Sequence, residues 1–255
     1  MGRLRFLAKV ILVFVAFAFA KLILLDIPKL AFSNPRLSAY MAQQGIDGVT
    51  EWIPYDQFPR HIISMVVATE DARFWEHRGV DWLELNKAIL EFKKNGRQRG
   101  ASTITMQLSR NLFLSENRSI LRKGLEILIA LEMDFLLKKE RILEIYLNVV
   151  EFGDGFFGVA EASRHYFNTT TRNLNPQQGA FLIAILPNPR EWGFWPPSAY
   201  IKQRMAIIQR RVGFKTRPAL TAKKEKSGWE KLKPRPAIPI IPEDETPAEI
   251  FLETE

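Results

Sequence analysis

The chain has no cysteine and only three histidines among its 255 residues. The first absence excludes a disulfide framework, a thiol nucleophile, a Cys-ligated zinc and a lipid-modified cysteine. His61, His77 and His165 lack metal-ligand spacing, which argues against a histidine zinc site. Strand-like alternation is missing, and so is any internal repeat. Long apolar runs are scarce as well, the longest being the eleven residues Val10–Ala20. With 47% hydrophobic and 25% charged residues, the chain can still bury a core, so wholesale disorder is excluded.

What is present in excess is positive charge, and its placement matters more than its total of +8. Residues 1–30 carry five basic groups and one acid, and residues 215–236 carry eight and two. Residues 237–255 hold six acids and no base. A nucleic-acid-binding domain concentrates its charge on the folded part. Residues 31–214 keep only 23 basic groups against 19 acids, and the C-terminal excess of basic groups is cancelled by the acids after it, which argues against a nucleic-acid partner and for a solvated charge run at the C-terminus.

Arg3, Arg5 and Lys9 precede the apolar run, and Leu22–Leu25 resume it after Lys21. A span needs about 20 residues, a length reached if Lys9 and Lys21 snorkel to the two interfaces. Positive charge before the run keeps the N-terminus cytoplasmic and sends the rest outward. The expected topology is therefore a single uncleaved anchor. Ala18-Phe19-Ala20 offers a signal-peptidase site as the alternative, and either way the remaining chain is exported.

The organisation expected from the sequence has four parts. Residues 1–27 form the cytoplasmic N-terminus and transmembrane anchor, and residues 28–57 a connector broken by Pro28, Pro35 and Pro54. Residues 58–214 are dense in helical periodicity. Leu121, Leu125, Leu128 and Leu131 follow Ser119, an expected N-cap. Arg141–Leu147 and Gln178–Leu186 also read as helices, the second ended by Pro187. Residues 215–255, with six prolines and no sustained periodicity, are expected to be a disordered tail.

Two chemical signatures fail on context. Gly153-Asp154-Gly155-Phe156-Phe157-Gly158 fits the dinucleotide fingerprint but follows a helical stretch, and no acid lies between Ala162 and Arg190 where a ribose ligand belongs. It is expected to be a glycine-rich turn. No serine is followed three places later by lysine, so the acylation motif of penicillin-binding transpeptidases is absent.

Four ordered motifs remain. Glu70-Asp71-Ala72-Arg73-Phe74-Trp75-Glu76-His77-Arg78-Gly79 is similar to E-D-x-x-F-x-x-H-x-G. Gly100-Ala101-Ser102-Thr103-Ile104-Thr105-Met106-Gln107 is similar to G-G-S-T-I-T-Q-Q. Arg122-Lys123-Gly124-Leu125-Glu126 matches R-K-x-x-E, and Lys139 to Asn148 matches K-x-x-I-L-E-x-Y-L-N. Together they resemble the family 51 glycosyltransferases, the peptidoglycan polymerases of the transglycosylase type found in penicillin-binding proteins. With an anchor and no transpeptidase motif, the likeness is to the monofunctional, biosynthetic members.

The resemblance implies a mainly α fold: a lysozyme-like helical glycosyltransferase domain with a smaller membrane-facing lobe, preceded by one transmembrane helix. It implies polymerisation of lipid II into glycan strands by an inverting β-1,4 transfer, with loss of undecaprenyl pyrophosphate. Glu70 falls on the base that takes the proton of the acceptor 4-hydroxyl. Glu126 falls on the second catalytic acid, holding pyrophosphate through a divalent cation (magnesium or manganese) or through its basic neighbours. Asp71, Arg73 and His77 lie around the base, and His77 fits a structural role equally well. Ser102, Gln107, Arg110, Arg118, Arg122 and Lys123 fall on substrate-contact positions. The implied setting is the outer face of a bacterial inner membrane, with lipid II, the growing strand and other wall-synthesis proteins as partners and no organic cofactor.

The residue types support this chemistry independently. Deprotonating a sugar hydroxyl suits a carboxylate, and a departing pyrophosphate needs fixed cations. Glu70 follows the largely apolar stretch Met65–Thr69, which is expected to raise its pKa. Arg122 and Glu126 share a helix face at i, i+4. Three departures from the motifs stand out. Met106 replaces a glutamine and removes an amide available to substrate, Arg110 stands where lysine is usual, and Ala101 replaces glycine. Two other classes remain open at this stage. A lysozyme-like wall hydrolase would also use two acids, although it has no pyrophosphate to neutralise. The other is a non-catalytic anchored scaffold.

Overall fold

The computed structural model describes residues 20–96, 100–115, 117 and 119–213, together with Arg5 and Lys9. The expected anchor, the expected tail and Arg118 lie wholly or mostly outside the described residues. Among the described residues, no helix is long and apolar enough to cross a membrane.

The described chain is mainly helical. A π turn at Leu22–Asp26 leads into α1 (Ile27–Lys29), followed by α2 (Ala39–Gln43), α3 (Arg60–Glu70), α4 (Trp82–Asn95), α5 (Ile104–Phe113) and α6 (Ile120–Leu136). Then come α7 (Lys139–Val149), a hairpin of β1 (Glu151–Gly153) and β2 (Phe156–Phe157), and α8 (Gly158–Phe167). The last helices are α9 (Pro176–Ile185), α10 (Pro189–Trp192) and α11 (Ala199–Arg211). Ser119 caps α6 by accepting the Arg122 N–H at 3.1 Å. Asn175 caps α9 in a reciprocal box with Gln178. The glycine-rich turn is a hairpin, with Glu151 paired to Phe157 and Gly155 at φ 77° in the bend. A Cβ on Gly158 would lie 2.6 Å from the Asn148 carbonyl oxygen, so only glycine lets α8 approach α7 this closely.

The core forms where α3, α9 and α11 meet, continuing through α5, α6 and α7. Helix α9 is buried on all sides from Gly179 to Ile185, which explains why its apolar residues run unbroken instead of in a stripe. Residues 28–57 join this core. Leu30, Met41 and Ile53 are buried, as is Ile27 just before them. Glu144 accepts the Trp52 indole N–H at 2.9 Å and the Tyr55 amide at 3.0 Å. Asn148 both accepts from Ile53 N and donates to Ile53 O at 2.8 Å. Two acid and amide residues of the fourth motif thus staple the leading segment to α7.

Helix α6 divides its four spaced leucines, with Leu125 half-buried and Leu131 packed on Val80, Met106 and Ala130. Leu121 and Leu128 are exposed, while Ile129, Ala130 and Met133 face the interior together with the carboxylates of Glu126 and Asp134. The polar pair on this face is a buried one. Asp134 is held by Lys139 at 2.5 Å, and Lys139 also lies over the Phe74 ring.

Candidate active site

Glu70 is the last residue of α3 and comes half out of the core into a cleft of about 1070 Å³, lined also by Arg73, Ser102 and Arg211. Its Oε2 accepts a hydrogen bond from Gln107 Nε2 at 3.1 Å. No described cation forms an ion pair with it. Burial pushes its carboxyl above the ordinary carboxylate range. The Gln107 bond and the charge of Arg204 pull the other way, and Asp71 adds to the rise. A carboxylate in this condition is a competent proton acceptor.

Glu126 lies on the inner face of α6 and is 1% exposed. Arg122 donates to its Oε2 at 2.7 Å, and Lys123 Nζ bonds its Oε1. The i, i+4 pairing expected between Arg122 and Glu126 is therefore present, and Lys123 closes it from one turn away. Lys123 also donates to Ser102 Oγ at 2.8 Å. These residues line a second hollow of about 760 Å³ with Arg110 on its rim. Gly100 and Ser102 line both hollows, so the two adjoin. Among the described residues no carboxylate pairs with Arg110. Arg122 Nε is buried with no partner, leaving donor capacity at the cationic end.

The remaining expected site residues fall into two groups. Arg73 reaches the first cleft, its guanidinium shared between Glu76 at 2.9 Å and Asp81 at 3.3 Å. Asp71 and His77 are buried and bonded to each other, His77 Nε2 lying 2.9 Å from Asp71 Oδ1. Asp71 Oδ2 also accepts the Ile104 N–H at 3.0 Å, which ties the end of α3 to the start of α5. The pair thus holds the end of α3, which carries Glu70, against the start of α5, which carries Gln107. Gly79, the last residue of the first motif, has φ 77°, and a Cβ there would sit 2.4 Å from the Ala130 carbonyl oxygen. The motif thus brings Glu70 and Asp71 to the cleft, with Asp71 the more deeply buried and bonded to His77. Arg118 is outside the described residues.

With this geometry in view, the comparisons with known proteins are specific. Residues 39–212 match the family model described as Transglycosylase. The chain belongs to the transglycosylase family. It is 42% identical over 187 residues to the biosynthetic peptidoglycan transglycosylase of Rhodospirillum centenum, covering 73% of this chain and 81% of that one. The proteins of the same name from Bordetella pertussis and Pseudomonas syringae pv. tomato are 46% and 41% identical. Those alignments cover 64% and 69% of this chain, and 69% and 75% of the respective relatives.

Two features of this transglycosylase were missed by sequence reasoning. Tyr146, inside the fourth motif, is fully buried and donates to Gln107 Oε1 at 3.0 Å. Its place beside an apolar helix face made it indistinguishable from core. Arg204, on α11, places its charge near Glu70 from far along the chain, and no local spacing announces it. The expectation for Met106 is corrected. Its side chain is 0% exposed and packs on Val80 and Ala130, so an amide there would meet the interior and not substrate.

Proposed function

We propose that this transglycosylase polymerises lipid II into glycan strands of peptidoglycan, with Glu70 as general base. One observation carries the reading: an uncompensated, half-buried carboxylate stands in a cleft that adjoins a hollow walled by fixed cations. In this reading Glu70 takes the proton from the 4-hydroxyl of the acceptor sugar. That oxygen attacks the anomeric carbon of the donor MurNAc, inverting it to a β-1,4 linkage while the bond to undecaprenyl pyrophosphate breaks. Negative charge grows on the departing phosphate, where Arg110, Arg122 and Lys123 stabilise it. Glu126 keeps two of those cations in place, and Arg118, outside the described residues, is assigned to substrate contact by the family likeness alone.

A divalent cation fits the described donors poorly. Both Glu126 oxygens are taken by Arg122 and Lys123, and no group of three His, Cys, Asp or Glu among the described residues gathers to hold a metal. Magnesium sites use one or two free carboxylates besides phosphate oxygens. The basic neighbours are therefore assigned the neutralising role, and no step is routed through a metal.

The lysozyme-like two-lobed arrangement, the single-pass anchor in the inner membrane and a catalytic domain on its outer side complete the reading. The anchor and its orientation are supported by Arg3, Arg5 and Lys9 before the apolar run, and the lysozyme-like arrangement by the mainly helical fold and the family match. Partners in wall synthesis follow from the reaction. The cationic hollow disfavours the hydrolase alternative, since glycan cleavage releases no pyrophosphate. The test is an assay of purified full-length protein on labelled lipid II and, separately, on purified peptidoglycan. Glycan strands from lipid II are expected. Release of reducing ends from peptidoglycan without polymer would replace this reading with a hydrolase.

A further inference from the structure

Three helices converge on one short chain of hydrogen bonds. Tyr146 on α7 donates to Gln107 Oε1 on α5, and Gln107 Nε2 donates to Glu70 at the end of α3, at 3.0 Å and 3.1 Å. A primary amide presents either an acceptor or a donor to its neighbour, depending on which way it is turned. Only one orientation suits an ionised carboxylate, because the other sets a carbonyl oxygen against it. We propose that Tyr146 is a positioning residue that locks the Gln107 amide with its NH2 toward Glu70, keeping the base fixed in direction and ionised at working pH. The proposal rests on the reading of Glu70 as the base and adds to it a residue that touches neither substrate nor the reacting atoms.

The physical case has three parts. Tyr146 is 0% exposed, so its hydroxyl has no access to water and is satisfied by Gln107. Burial, with the nearby Glu70 carboxylate, pushes the phenol well above its ordinary value, so it stays protonated and acts as a donor. The phenol oxygen could also accept, but its proton has no other acceptor among the described residues, so donation to Gln107 sets the amide oxygen on its own side and leaves the NH2 for Glu70. The other charges facing this point are few: Asp71 beside Glu70, Arg204 and Arg211 on α11, and Arg110 on α5. The two bonds of the relay therefore decide the amide's direction.

The experiment compares full-length wild type, Tyr146→Phe, Gln107→Ala and the double variant, each checked for a cooperative thermal transition. The Glu70 carboxyl is titrated by NMR in 13C-Glu-labelled protein and recognised by its loss in Glu70→Gln. Gln107→Ala is expected to raise the Glu70 pKa by about one unit, the worth of a hydrogen bond to a charged group, and Tyr146→Phe, which frees the amide without removing it, to raise it by a measurable part of that. In the double variant the Tyr146 change is expected to add nothing further. A shift of full size from Tyr146→Phe in the Gln107→Ala background overturns the proposal, because Tyr146 then acts directly, and so does an unchanged Glu70 titration in Tyr146→Phe. Should Tyr146→Phe fail to fold, the full-length chain carrying 3-fluorotyrosine tests the same relay: the stronger phenol donor is expected to lower the Glu70 pKa, and no change overturns the proposal. The acid limb of the elongation rate against pH is read in parallel. If the NMR shift appears and that limb stays in place, the positioning of Glu70 holds and its assignment as base fails.

Discussion

Glu70 and Glu126 are the same side chain in opposite surroundings. Glu70 ends a helix, opens on a cleft and receives one neutral amide, so burial raises its pKa and leaves it wanting a proton. Glu126 is sealed within a helix face, with a guanidinium on one oxygen and an ammonium on the other. The second carboxylate has its charge answered by protein and nothing left for substrate. Proton-accepting capacity in this fold is therefore set by what is kept away from a carboxylate, and cation placement by what is clamped to one.

The largest effect should come from abolishing the contrast at its reactive end. Glu70→Gln preserves shape and removes the proton acceptor, so elongation should fall by about two orders of magnitude or more, while lipid II binding, measured separately, persists. Near-normal elongation by folded Glu70→Gln would dissolve the distinction between the two sites.

Glu126→Gln should come next and act differently. It leaves two cations facing a neutral amide where the buried carboxylate had answered their charge. The expected cost to folding is about 2–3 kcal/mol, moderated because Lys123 keeps access to water. Elongation should drop by less than for Glu70→Gln, with the loss accompanied by a lower Tm. Arg110→Ala, which breaks no described ion pair, should leave Tm in place and raise KM for lipid II by about tenfold, since it gives up one charged contact to phosphate. The two variants thus separate a cation's support from a cation's use.

A fourth comparison concerns pH. The Glu70 carboxyl binds its proton more tightly folded than unfolded, so the folded state holds more protons between the ordinary carboxylate value and its raised one. Stability from this group is full below that window and is lost as pH rises through it. Denaturant titrations at several pH values should show that slope in wild type and a flatter one in Glu70→Gln, which is also expected to be the more stable protein near neutrality. An identical slope in both would show that burial does not tax this carboxylate. The smallest functional effect is expected of Met106→Gln. It should cost about 1–3 kcal/mol through an unpartnered buried amide without changing KM for lipid II.

Much of the local architecture was legible because local rules decide it. Ser119 caps α6, and Arg122 reaches Glu126 one turn on, since both follow from helical spacing alone. The glycine-rich stretch declined as a nucleotide fingerprint is a bend in a hairpin, as its missing acid implied. The face of α6 was not legible. Its leucines recur at helical spacing, yet Leu121 and Leu128 are exposed while Leu131 packs inward, and the buried Glu126 and Asp134 share the inner face with their cationic partners. Apolar spacing cannot register a face whose burial is electrostatically compensated.

By itself the sequence determined a mainly helical chain, four ordered motifs, a pair of glutamates and the cations near the second. All of these depend on residue type and short spacing. Only the tertiary structure decided which residues of a motif meet solvent. Asp71 and His77 turned inward to join α3 to α5, Met106 went to the core, and Tyr146 came to stand behind Gln107 across 39 residues. Those outcomes depend on which helix faces which, and a half-buried acid differs from a clamped one only through neighbours that folding brings from distant parts of the chain.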